Sequence, residues 1–104
     1  MSNDQITRKL LFRASHRGIR EMDIVLGRFC STKIEAMDAR QLLVLSAVLH
    51  INDQPMYQAL CEDEADEALC ELIVDAPEEF QAEMLTMLQE IYGWMRANPY
   101  RGDE

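Results

Sequence analysis

The sequence predicts an all-α protein, a compact bundle of five to six short helices in one domain. Three observations carry this. Glycine and proline number only 4 and 3 in 104 residues, whereas a strand-rich sandwich needs frequent turn signals. Apolar residues recur at three- and four-residue spacing along most of the chain. Residues able to cap a helix stand where those apolar runs begin. Hydrophobic residues make up 48% and charged residues 28%, enough apolar surface for a single core at this length. Residues 1–104 therefore read as one domain, with 98–104 expected to be a loose tail.

Each element has its own signal. Ile6, Leu10, Leu11 and Ala14 form a helical stripe over 5–16, which Asn3 or Asp4 can cap, and Gly18 follows where a helix often ends in a left-handed residue. Ile19, Met22, Val25, Leu26 and Phe29 predict a second helix over 19–30. Gly27 interrupts it at a cost of up to about 1 kcal/mol relative to alanine, and can admit a close neighbour. Residues 31–37 read either as a linker or as an extension of that helix. Asp38 caps a third helix running to about Ile51. Seven of the eight residues from Leu42 to Leu49 are apolar, which predicts a buried central helix. Asn52 or Asp53 caps a short fourth helix with Pro55 in its first turn and with Met56 and Leu60 on one face. A fifth helix is expected over 64–73. Asp75 and Glu78 have capping-box spacing around Pro77. A long last helix then runs to about Ala97 on the stripe Phe80, Met84, Met87, Leu88, Ile91 and Met95, and Asn98-Pro99 ends it.

Charge narrows the function. The formal net charge is −9, which argues against nucleic acid as a partner because phosphate binding needs a basic face. The charge is also uneven. Residues 1–40 hold eight Lys or Arg against five acids, whereas residues 41–104 hold two Arg against fourteen acids. The halves can attract each other, or one can serve as an interaction surface. No apolar run approaches the length of a membrane span and no signal region opens the chain, so the expected compartment is a bacterial cytoplasm. Three cysteines without a CxxC fit reduced thiols used as small core hydrophobes.

Catalytic and metal signals are weak. The four glycines are too scattered to cradle a pyrophosphate. His16 and His50 have no spacing that suggests a triad, and His50 reads as a helix-end residue. Cys61 and Cys70 lack a ligand set. The acidic run "EDEADE" (Glu62–Glu67) lacks the glycine and spacing of a calcium loop and reads as a solvated face. The seven methionines fall mostly on helical stripes and read as core filling. No catalytic, cofactor-binding or metal-binding residue is expected.

One stretch, "SHRGIREMD" (Ser15–Asp23), resists so plain a reading. Arg17 and Glu21 are four apart and share a side if the helix continues through Gly18; otherwise Glu21 lies on the first turn of the second helix, at its positive end. Arg13, Arg17 and Arg20 crowd nearby. Local electrostatics alone favour a solvated hairpin junction with a weak ion pair.

The stretch "RKLLFRASHRGIREMDIVLGRF" (Arg8–Phe29) resembles the SdhE flavinylation-factor family of succinate dehydrogenase. The family's hallmark Arg-Gly-x-x-Glu is matched by Arg17, Gly18 and Glu21, with the extending acid at Asp23. The likeness continues more loosely through "AMDARQLLVLSAVLHINDQPMYQALC"; beyond Cys61 the connection is longer and more acidic than usual. The resemblance implies a helical, non-enzymatic assembly factor or chaperone. Such a factor binds the flavoprotein subunit of succinate dehydrogenase, or of fumarate reductase, and promotes covalent FAD attachment there. The FAD belongs to the client and is not held stably by this chain. It further implies a partner-binding face at Arg17, Gly18 and Glu21, flanked by Arg13, His16, Arg20 and Asp23. Arg17 would bind a client carboxylate or carbonyl, Gly18 would admit a close backbone, and Glu21 would meet a client basic group or orient Arg17. Two other readings stay open: a generic helical adaptor or antitoxin-like regulator, and a carrier that itself binds and delivers FAD. The chain is expected to be a monomer or weak homodimer.

Overall fold

The structure, a computed structural model, describes residues 3–98, with side chains from residue 5. Among the described residues there are six α-helices, one 3-10 turn and no strand. The helices are α1 (Asn3–Ser15), α2 (Arg20–Lys33), α3 (Ala39–Val48), α4 (Asp53–Leu60), α5 (Asp66–Leu72) and α6 (Glu78–Ala97), and the 3-10 turn, Ile34–Ala36, extends α2. Residues 31–37 are thus helical for most of their length, the extension rather than the linker. The caps expected at Asn3 or Asp4 and the tail expected over 98–104 fall almost wholly outside the described residues.

α1 packs on α2 and α3, α3 on α6, and α5 joins α4 to α6. The core they enclose is built from the predicted stripes: Leu10 and Ala14 of α1, Met22, Leu26 and Phe29 of α2, Leu42, Leu45 and Val48 of α3, Met56 and Leu60 of α4, and Met84, Leu88 and Ile91 of α6. Four methionines are buried there, where an unbranched side chain fills irregular space. Phe29 meets the edge of Trp94 at 6.0 Å between ring centres. A methyl group on Gly27 would stand 3.3 Å from Cβ of Ser15, so that glycine lets α1 and α2 close on each other.

Asp38 begins α3 as expected: its carboxylate accepts from the Gln41 backbone N–H at 2.8 Å, and the Gln41 side chain returns a bond to the Asp38 N–H. Three expectations need correction. Asp75 does not cap α6. Pro77 takes the cap position, and no side chain bonds the first turn, because Asp75 lies two residues before that position. α3 is not buried all round, since Leu43 is 57% exposed; α1 and α6 cover its other faces and leave this one open. Of the three thiols only Cys30 sits in the core, where burial pushes it up to about 12; Cys61, just past α4, and Cys70, on α5, are exposed.

The uneven charge is partly self-satisfied. Arg40 reaches Glu83 of α6 at 2.6 Å and covers the Phe80 ring at 4.5 Å, and its hydrogen bonds hold the Glu83 carboxyl below its usual range. The acidic loop 62–65 is pinned through its backbone, with Tyr92 donating to the Glu62 and Asp63 carbonyls at 2.7 and 2.8 Å and Arg96 donating to the Glu62 carbonyl at 2.6 Å. Its carboxylates stay exposed.

Candidate functional site

The junction between α1 and α2 is four residues long, His16–Ile19. α1 cannot pass Ser15, because Ser15 and His16 turn back to cap it. The Ser15 hydroxyl donates to the Leu11 carbonyl at 2.8 Å, and Nδ1 of His16 donates to the Phe12 carbonyl at 2.8 Å. Phe12 belongs to the last turn, whose carbonyls run short of partners within the helix. His50 does the same at the end of α3, from Nδ1 to the Ser46 carbonyl at 2.7 Å. Gly18 then turns the chain with φ +113°, a region L side chains rarely adopt. Ile19 is extended, and Glu21 and Asp23 fall on the first turn of α2, where the helix dipole favours acids. The helix is therefore broken between Arg17 and Glu21, and the local ion pair is not formed.

Arg17 points inward instead. Its side chain is 5% exposed. Nε donates to Oδ1 of Asp53 at 2.5 Å, Nη1 to the Leu49 carbonyl at 2.6 Å, and Nη2 to the Ile51 carbonyl. Leu49 is the residue that ends α3 and Asp53 is the first of α4. One guanidinium thus satisfies the negative end of α3, pairs with the start of α4, and ties both to the α1–α2 junction. The planar fork of arginine suits this set of acceptors; a lysine ammonium could not span them. The backbone N–H of Arg17 donates to Oδ1 of Asp23 at 2.5 Å, so the start of α2 holds the same loop from the other side. Gly18 lies against Asp53, with a built Cβ 3.5 Å from Oδ2. That is ordinary contact, so the positive φ, rather than lack of space, requires glycine here.

This arrangement separates the predicted site residues. Arg17 and Asp23 face into the junction and hold it. Gly18 is exposed on its surface. Glu21 is half-buried, and among the described residues no hydrogen-bond donor pairs with its carboxylate. Its field reaches Tyr57 on α4, whose phenol burial, then Cys61, then Glu21 hold above its usual range. Arg13 on α1 and His16 just after it are exposed. Arg13 reaches the Ser46 hydroxyl at 3.4 Å, and His16 stacks on Phe12 with ring centres 4.0 Å apart. Arg20 is exposed at the first position of α2. Sequence reasoning missed Asp53 as the partner of Arg17, since it read that residue only as a helix cap, and it missed Tyr57. The usable signal was an acid beside the one short α3–α4 connection, the place where an inward arginine meets unpaired carbonyls.

The junction is poorly suited to hold a flavin dinucleotide itself. The three nitrogens of Arg17 face protein acceptors, and the carboxylates of Glu21, Asp23 and Asp53 crowd the Gly18 turn, where a pyrophosphate would be repelled. Among the described residues no group of three or more His, Cys, Asp or Glu is placed to hold a metal ion, and no helix is long and apolar enough to cross a membrane.

Fold and junction together define a small helical protein that carries an Arg-Gly-x-x-Glu turn fixed from within. The chain belongs to the family described as the flavinator of succinate dehydrogenase, which it matches over residues 8–92. Membership makes it a flavinylation factor of that enzyme, with a role in FAD attachment. Comparison with curated proteins and with solved structures gave no match.

Proposed function

We propose that the protein is a non-enzymatic assembly factor that binds the flavoprotein subunit of succinate dehydrogenase, and by the same surface that of fumarate reductase, in the bacterial cytoplasm. The covalent bond forms on the client, between its own residue and its own FAD. The observation that carries this reading is a family match spanning the whole Arg-Gly-x-x-Glu junction, in a junction whose Glu21 carboxylate has no donor among the described residues. An accessible carboxylate without a donor inside the fold can accept a charge-assisted hydrogen bond from a partner.

Roles then divide by geometry. Gly18 and Glu21 form the contact face, with His16, Arg13 and Arg20 around it. Arg17 and Asp23 are positioning residues: they fix the turn so that Gly18 and Glu21 meet the client in one arrangement. This revises the direct contact that the resemblance implied for Arg17. Bracing a mobile client against a rigid surface lowers the barrier by orienting the reacting groups, and positioning of this kind can supply several kcal/mol. The test is covalent flavin on a purified apo-flavoprotein subunit incubated with FAD, with and without this protein. An increase in covalent flavin that survives only with an intact junction supports the reading; equal flavinylation without the protein contradicts it.

A further inference from the structure

A second surface lies along α1 and α3, away from the Arg-Gly-x-x-Glu turn. The two helices run side by side in the same direction, as Arg13 meets Ser46 and Arg17 meets Leu49. Between them opens a groove of about 370 Å³. Ile6, Leu10, Leu42 and Leu43 supply its apolar walls, while Lys9 and Arg13 stand on its rim. Among the described residues Leu43 is one of three large hydrophobic side chains that the fold leaves exposed, at 57%.

The charge around this groove is opposite to that of the chain. Residues 5–15 and 39–48 carry Arg8, Lys9, Arg13 and Arg40 and not one acid, in a protein of net charge −9. Arg40 is neutralised by Glu83 from α6, but Arg13 is exposed and lines the groove, which no acid lines. The apolar stretch from Ile6 to Leu10 and on to Arg13 covers about 10 Å, two helical turns. That length fits an incoming helix with apolar anchors at i, i+3 or i+4 and i+7.

We infer that the α1–α3 groove is a docking site for an acidic amphipathic helix of a partner protein, with Leu43 and Ile6 receiving the apolar anchors and Arg13 receiving a flanking carboxylate. A second copy of this chain is a poorer occupant, because its acidic run 62–67 buries its one apolar residue, Ala65, and offers carboxylates without anchors. No residue of the Arg-Gly-x-x-Glu turn lines the groove; Arg13 stands beside both surfaces, so Leu43→Glu is the variant that tests the groove apart from the flavinylation reading.

The test uses the full chain and two fluorescent 14-residue helical peptides with leucines at i, i+4 and i+7, one flanked by glutamates and one by lysines. Anisotropy should show the glutamate peptide bound, weakening as salt is raised from 50 to 500 mM, and the lysine peptide bound at least about tenfold more weakly. Leu43→Glu and, separately, Arg13→Glu should each reduce affinity for the glutamate peptide by about tenfold or more, with helical circular dichroism unchanged. Absence of binding to the wild-type chain, equal binding of both peptides, or a wild-type chain that sediments as a dimer closed to the peptide would each overturn the inference.

Discussion

Nε of Arg17 donates to Oδ1 of Asp53 at 2.5 Å, across thirty-six residues of sequence. This contact, with the carbonyls of Leu49 and Ile51, makes the most informative residue of the hallmark motif an internal one. Removing one partner of a buried pair leaves the other uncompensated and costs about 3 kcal/mol or more. Arg17→Lys keeps the charge but loses the fork, so it should destabilise the fold by about 2–3 kcal/mol and lower Tm by roughly 10 °C or more. Asp53→Ala should produce a similar loss, and the double variant should cost clearly less than the two single losses added. Differential scanning calorimetry of the four proteins checks this.

Gly18 carries φ +113°, so its substitution acts first on the backbone. Gly18→Ala should cost about 1–3 kcal/mol of stability without a steric clash, because the new methyl meets Asp53 only at ordinary contact distance. A larger side chain at the same position, as in Gly18→Arg, should share that stability loss and in addition abolish client binding. Urea unfolding beside a client binding assay separates the two effects.

The thiols should divide by burial. Cys30 is fully enclosed, and burial pushes it up to about 12, so its reactive thiolate is scarce and covered. Ellman's reagent at pH 8 should label two thiols, Cys61 and Cys70, rapidly, and Cys30 roughly a hundredfold more slowly, through transient opening of the fold. The raised value of Cys30 favours the folded state below the ordinary thiol range near 9. That contribution is lost as pH rises from about 9 towards 12. Unfolding followed by circular dichroism should therefore show stability falling over that window, and Cys30→Ala should flatten part of the fall.

Much of this fold was legible in the sequence because helical periodicity and caps are local. The stripes of α2, α4 and α6 predicted the buried faces, and Asp38 with Gln41 predicted the start of α3. What escaped was decided at a distance. Leu43 is exposed because no neighbouring helix covers that side of α3, which no window of α3 alone reveals. Asp75 loses its cap to Pro77 by a two-residue shift. The candidate site was legible as a motif but not as a geometry. Arg17 and Glu21 look like partners at four-residue spacing. The positive φ of Gly18 breaks that helix, and the unpaired carbonyls after α3 give the guanidinium a better set of acceptors.

Glu21 bears the central claim, because it is the motif residue with no structural donor among the described residues. Glu21→Gln should leave Tm almost unchanged, within about 1 kcal/mol of the wild type, since no internal bond is lost. The decisive measurement is in-gel fluorescence of covalent flavin on the purified apo-flavoprotein subunit, with FAD and either wild-type or Glu21→Ala protein at matched folded concentration. The account predicts at least about a tenfold loss of the wild-type stimulation. Full stimulation by a folded Glu21→Ala protein would contradict it.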